Sequence, residues 1–322
     1  MTDFEIETVL TSYTGNDETV EIPRGITTIN NNCFSDRRNT GIPIKKIIVP
    51  EGVTKIKMSA FYFCGNLKEV ILPSTLIDIS ANAFTGCRSL ENIQVSEKNP
   101  LYASRDGILY KRNLNLNNPY YKIKIYPSGK PEKTFEIPED VKEVSTVAFD
   151  NFSNVIERII INDTFGDESE NAFGSMRNLK IVTLKKDNQE IDIYIDNYKL
   201  TGELPDMMRA YKYRNRNTQT LMNRFADISY KQVKIPFALF MLFAYGHDEF
   251  LPYIKRSIKN VVKYLADHNE TALLERVLEL GFVTKKNIDE LIDYVNQNQN
   301  IEVQAILMNY KNENFGYNSL KL

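Results

Sequence analysis

Apolar residues in the amino-terminal part of the chain fall into a recurring L-x-x-L-x-L pattern: Ile44/Ile47/Val49, Leu67/Val70/Leu72, Leu90/Ile93/Val95, Ile156/Ile159/Ile161 and Leu179/Val182/Leu184. The end of each group alternates with the period of a strand, which predicts that Val70 and Leu72 point inward while Ile71 points outward. A second pattern follows each strand. Pro23, Pro50, Pro73 and Pro138 each precede aliphatics three and six residues on, and a phenylalanine eleven residues on: Phe34, Phe61, Phe84 and Phe149. In a fifth copy Asn162 stands for the proline and Glu168 for the second aliphatic, yet Phe173 still follows at eleven. Cys64, Cys87, Phe152 and Met176 sit three residues beyond their phenylalanines, and the Phe-to-Phe steps are 27, 23, 65 and 24. A unit this short cannot bury its own apolar side, but stacked units share one core, so a solenoid is predicted with the phenylalanines plugging its interior.

The combined pattern, I-P-x-x-V-x-x-I-x-x-x-A-F-x-x-C-x-x-L, resembles the BspA-type (Treponema pallidum-type) leucine-rich repeat family of bacteria over roughly residues 18–184. The 65-residue step holds Asn99–Lys111 and Tyr121–Lys130, which are similar to the extra β-hairpin that such proteins insert between repeats. The resemblance implies a binding role, in surface adhesins and in intracellular members alike.

Beyond Leu184 the period changes. Residues 191–194 alternate like a last strand, and from Pro205 apolar residues recur at helical spacing, predicting helices over 218–230, 235–245, 248–266, 270–280, 284–297 and 301–312. Ser257–Leu265 matches Asn287–Val295 at an offset of 30, and Thr271–Leu274 matches Gln304–Leu307 at 33. Paired short helices at that spacing resemble ankyrin-type repeats. The expected fold class is therefore α+β in segregated domains. Residues 1–198 form a right-handed, β-rich leucine-rich repeat solenoid, with repeats over about 18–93 and 135–184 and a hairpin inserted at 94–134. Residues 199–206 are a linker, and 207–322 an all-α domain of ankyrin-like helical hairpins.

Composition adds mostly exclusions. Of the 322 residues, 42% are hydrophobic and 25% charged, as in folded chains, and 40 basic residues against 42 acidic give a net charge of -2, so no overall pull toward nucleic acid or membrane arises. The two histidines, His247 and His268, and the three cysteines, Cys33, Cys64 and Cys87, form no recognisable metal or nucleophile motif. No catalytic residue, metal or cofactor is expected. Cys64 and Cys87 occupy equivalent rungs and are read as a free, buried ladder. The amino terminus lacks a basic and apolar leader pattern, and the longest apolar run, Ile235–Tyr245, is short for a membrane span, so a cytoplasmic monomer is expected. A leader ahead of the chain would place it on the cell surface, as an adhesin.

Candidate binding residues come from the outward strand positions. One column reads Lys46, Glu69, Asn92, Arg158 and Ile181; the next reads Ile48, Ile71, Gln94, Ile160 and Thr183. Aliphatics displayed among charges of both signs suit a protein partner, whose identity the sequence leaves open. The hairpin contributes Tyr102, Tyr110, Tyr120 and Tyr121 as a possible aromatic patch or as cross-strand pairs, and 113–118 as a polar loop. A nucleic-acid reading is offered by 209–263, where 11 Lys/Arg meet 3 acids; Arg209, Lys212, Arg214, Arg216, Lys255, Lys259 and Lys263 are its candidates. A solvated helix face is the competing account of those charges.

Overall fold

The computed structural model describes residues 8–36, 41–114, 119–149, 155–166, 171–173, 176–195 and 202–316. Phe152, Glu168, loop residues 115–118 and linker residues 199–201 lie outside them. The chain divides into two compact units, Met1–Tyr230 and Lys231–Leu322.

In the first unit the repeats wind as a β-solenoid with two parallel ribbons. One joins β2 (Thr19–Glu21), β4 (Lys46–Ile48), β6 (Glu69–Leu72) and β8 (Asn92–Val95). The other joins the two-residue strands β1 (Val9–Leu10), β3 (Thr28–Ile29), β5 (Lys55–Ile56) and β7 (Asp78–Ile79). Ile47, Val70 and Ile93 are fully buried between them, and the aliphatics after each proline, such as Val53 and Ile56, close the opposite side of the core.

The aromatic plug is a stack. Phe34 and Phe61 lie with ring centroids 5.2 Å apart, and Phe61 and Phe84 at 4.8 Å with planes 5° apart. The backbone holds the first rungs in step: the Phe34 N–H donates to the Ala60 carbonyl (2.8 Å) and the Phe61 N–H to that of Ala83 (2.9 Å), each just before the next rung. Tyr13 donates to Cys33 (2.9 Å) and Tyr126 to Ala148 (2.9 Å) in the same way. Both are therefore rungs of the series, which the Pro-to-Phe spacing does not reveal. The segment expected only as an insertion carries a turn of the solenoid as well as its hairpin. Cys64 and Cys87 form the expected buried ladder, their thiols donating to the carbonyls of Phe34 and Phe61 at 3.0 Å each.

The hairpin pairs β9 (Tyr102–Arg105) with β10 (Ile108–Asn113), and β11 (Tyr120–Ile125) joins it to β13 (Val141–Val144). A last sheet orders β12 (Thr134–Glu136), β14 (Arg158–Asn162), β15 (Ile181–Lys186) and β16 (Gln189–Tyr194). β16 runs antiparallel to β15, covering its edge with the alternating segment the sequence predicts.

Two helices, α1 (Leu204–Tyr211) and α2 (Thr218–Asp227), belong to this first unit, so the boundary falls beyond the expected 199–206 linker. Their attachment is specific: Arg214 donates to the carbonyls of Phe165 (3.0 Å) and Asp163 and meets the Asp163 carboxylate at 3.2 Å, while Tyr211 donates to the Asn162 carbonyl at 3.4 Å.

The second unit contains α3 (Lys231–Tyr245), α4 (Leu251–Arg256), α5 (Ile258–Asp267), α6 (Thr271–Glu279), α7 (Ile288–Gln297) and α8 (Ile301–Phe315). The single helix expected over 248–266 is instead a 3₁₀ turn followed by α4 and α5, which meet at Ser257. Gly246 and Gly281 take φ +69°, ending α3 and α6 as their positions imply. The offset of 30 is visible in the backbone: Asn269 and Gln299 both take φ +56° in the short links of the α5/α6 and α7/α8 hairpins.

Candidate partner-binding site

The strand ribbon pairs Lys46 with Glu69 and Glu69 with Asn92, and Ile48 with Ile71 and Ile71 with Gln94, in the register the sequence columns predict. Alternation turns these side chains away from the core, leaving Ile48 and Ile71 half-buried and Gln94 exposed. Glu69 gathers the polar ones, pairing with Lys46 at 2.7 Å and accepting from Asn92 at 3.2 Å and Gln94 at 3.1 Å. The result is an ordered face on which an aliphatic pair lies beside a saturated polar cluster.

The columns do not continue through the hairpin as the sequence reading assumed. Arg158, Ile160, Ile181 and Thr183 lie in the later sheet, where Arg158 pairs with Ile181 and Ile160 with Thr183. Here β16 supplies Asp192, which accepts from Arg158 at 2.7 Å and from Thr183 at 2.6 Å. Thr183 is only 2% exposed, so it is a buried anchor of that network and not an open binding position.

Between the first face and the hairpin lies a groove of about 600 Å³. Its floor is Ile71, Asn92, Gln94 and Val95, with the buried Val49 and Leu72 beneath, and its wall is Ser104, Asp106 and Gly107 of the hairpin tip. The tip is a tight turn with positive φ at Asp106 (+49°) and Gly107 (+76°), the pattern that Asp-Gly favours. It is pressed onto β8: Gly107 accepts from the Ile93 N–H at 2.9 Å, Ser104 donates to the Ile93 carbonyl, and a Cβ on Gly107 would stand 2.6 Å from the Glu91 carbonyl oxygen. Three carboxylates, Glu51, Glu97 and Asp106, line the groove, and no lysine or arginine does. Glu51 accepts from the N–H and hydroxyl of Ser74 at 3.0 and 2.8 Å, which holds its pKa below the ordinary carboxylate value. The sequence reading includes Ile71, Asn92 and Gln94 but misses these three acids. The Asp-Gly dipeptide was the available signal for the tip.

The tyrosine and basic candidates are spread over several environments. Tyr102 and Tyr110 are core residues at 0% and 2% exposure, so they do not belong to a contact patch. Of the half-buried pair, Tyr120 bonds to Glu143, and Tyr121 lies under the Arg105 guanidinium at 3.9 Å. In the basic stretch, Arg209 pairs with Asp206, and Arg214 is spent on the carbonyls under α1. Lys259 and Lys263 both reach Glu290, and Lys255 lies over the Phe282 ring at 5.6 Å. Lys212 and Arg216 line a separate cleft of about 480 Å³ with Lys142, Arg214 and Glu143. Burial, followed by the nearby Arg214 charge, lowers the Lys142 pKa. The 209–216 and 255–263 candidates thus fall in different compact units.

A family model described as BspA type leucine rich repeat region matches residues 5–126 and 128–198 in six copies. The chain belongs to this family. Solved structures similar to this BspA-type repeat protein include a leucine rich cell surface protein from Faecalibacterium prausnitzii (23% identity over 51% of this chain and 46% of that one, TM-score 0.39). The Treponema pallidum leucine rich repeat protein is another (20% identity, 56% and 75% coverage, TM-score 0.33), as is the pneumococcal vaccine antigen PcpA (18%, 55% and 63%, 0.28). The chain spans about half the length of the F. prausnitzii protein. No curated protein matches it. Among the described residues no helix is long and apolar enough to cross a membrane, and no group of three His, Cys, Asp or Glu is placed to hold a metal ion.

Proposed function

We propose that this BspA-type protein is a non-enzymatic interaction scaffold, acting as a monomer, in which the face of β4, β6 and β8 holds a protein partner and the helical unit offers a second docking surface. The observation that supports this most is the in-register pair Ile48 and Ile71, half-buried beside the groove. An ordered aliphatic strip with a polar surround has the composition of a partner-binding patch. Replacing Ile48 and Ile71 together by Asp is expected to abolish partner capture from the native host while leaving the thermal midpoint within a few degrees of wild type. Loss of folding would show instead that the two belong to the core.

A second reading has one observation in its favour, the lysines and arginines along the cleft at Lys142, Lys212 and Arg216. It predicts a salt-sensitive shift with single-stranded or duplex nucleic-acid probes, and a flat response removes it. Fractionation of the host separates the cytoplasm from the cell surface, where such a scaffold would meet different partners.

A further inference from the structure

The groove beside the hairpin tip combines three features that select a partner by chemistry. Its floor is aliphatic at Ile71 and Val95, its edges carry Glu51, Glu97 and Asp106, and the lining holds no cation. From these we infer that the groove receives an extended protein segment in which a lysine or arginine and an aliphatic residue stand two positions apart and so share one face. The inference rests on the strand face being the docking surface, and it names the partner's chemistry.

Strand addition at β8 is closed as a mode of binding. The Ile93 N–H is already given to Gly107, and its carbonyl accepts from Ser104. Recognition must therefore come from side chains laid across the face. The neighbouring acid, Glu69, is saturated by Lys46, Asn92 and Gln94, so it offers little to an incoming charge. Glu51 is fixed by Ser74 and kept ionised, whereas Glu97 and Asp106 are exposed. Two cations stand at the tip: Arg105 turns to Asp140 at 2.8 Å and to the Tyr121 ring, and Lys130 donates to the backbone carbonyl of Asp106 at 2.9 Å and pairs with Glu132 at 3.5 Å. The lysine's contact is with the carbonyl, and neither cation is part of the groove lining. A metal ion is a poor occupant, because these acids do not converge as a three-ligand group. A cationic side chain needs no convergence. It can meet the carboxylates singly while the aliphatic residue two positions away covers Ile71 and Val95.

The test uses the full chain and fluorescence anisotropy with three labelled nonapeptides: Lys-Val-Thr three times over, the same with Glu for Lys, and the same with Ser for Val. The first is expected to bind with an affinity that falls as salt rises, the second not to bind, and the third to bind several-fold more weakly. Glu97→Gln with Asp106→Asn is expected to weaken the first peptide roughly tenfold and flatten its salt dependence. Both substitutions keep the side-chain shape, and Asn accepts the left-handed backbone at 106. An unchanged thermal midpoint certifies the fold. The inference is overturned if the Glu peptide binds as well as the Lys peptide, if the double variant leaves affinity unchanged, or if no peptide binds. Should it be overturned while Ile48→Asp with Ile71→Asp still abolishes capture, only the partner chemistry fails. If capture also survives those substitutions, the strand-face reading fails with it.

Discussion

At the scale of single residues, polar side chains hold the repeats where the hydrophobic pattern breaks. Asn99 is 1% exposed and fully bonded: its amide donates to the carbonyls of Pro73 (3.1 Å) and Leu76 (3.0 Å), and its oxygen accepts from the N–H groups of Leu101 and Tyr102 (2.8 Å each). Asn99→Ala takes a partner from four backbone groups, of which the Pro73 carbonyl keeps the Leu76 N–H and the Leu101 N–H is part-buried, and a loss of about 3 kcal/mol in urea unfolding is expected, since each unpaired group costs ~1–3 kcal/mol and water recovers part. Asn162, which the sequence shows only as a missing proline, does similar work, donating to the Ile137 carbonyl at 2.5 Å and accepting from Thr164. Neither role is legible in the sequence, because a pattern of apolar spacing marks such residues as gaps. Ionisable groups in the core give a second expectation. Burial pushes Cys33 from 9.0 to about 12, with Cys64 adding to the rise, and pushes Tyr102 and Tyr110 from 10.0 to about 12. All are neutral at pH 7, so their contribution is complete there. As pH climbs past 9 to 10 the unfolded chain ionises first, and stability falls until the folded values near 12 are passed. Thermal midpoints measured from pH 8 upward should decline steadily, and Tyr102→Phe should make the decline shallower.

At the scale of elements, the periodic parts of the chain were the legible ones. Strand register, the phenylalanine stack and the cysteine ladder all follow from spacing alone, because each repeat presents the same side chain to the same place. Phe61 lies between two stacked rings, whereas Phe84 stacks on one phenylalanine. Phe61→Ala is therefore expected to cost about 3–5 kcal/mol, at the upper end for a buried aromatic and more than Phe84→Ala, measured by denaturant midpoint. What spacing concealed was structure that used other residues in the same slots. Tyr13 and Tyr126 take the phenylalanine rung without the preceding proline, so two turns of the solenoid escape the motif. The break between α4 and α5 at Ser257 escaped for the opposite reason, since helical periodicity runs on through a junction that only the backbone shows. The groove was half legible: Ile71, Asn92 and Gln94 of its floor lie on the predicted columns, but its wall with Asp106 depends on Gly107 letting the hairpin tip rest on β8.

At the scale of the molecule, the change from strand to helix was legible near residue 200, but the compact units part at Tyr230. The reason is Arg214, which reads as one member of a basic run and proves to be 7% exposed, with its guanidinium among the carbonyls of the last repeats. A chain ending after Glu203 should accordingly melt several degrees below one ending after Tyr230, and Arg214→Met in the full chain should reproduce most of that loss. The central claim, that the first strand face is the docking surface, is tested most directly by hydrogen exchange on the captured complex. Slowed exchange is expected in 46–48, 69–72 and 92–95 and at the hairpin tip 104–107. Exchange slowed only in the helices of 288–315, with the strand face unchanged, would contradict it.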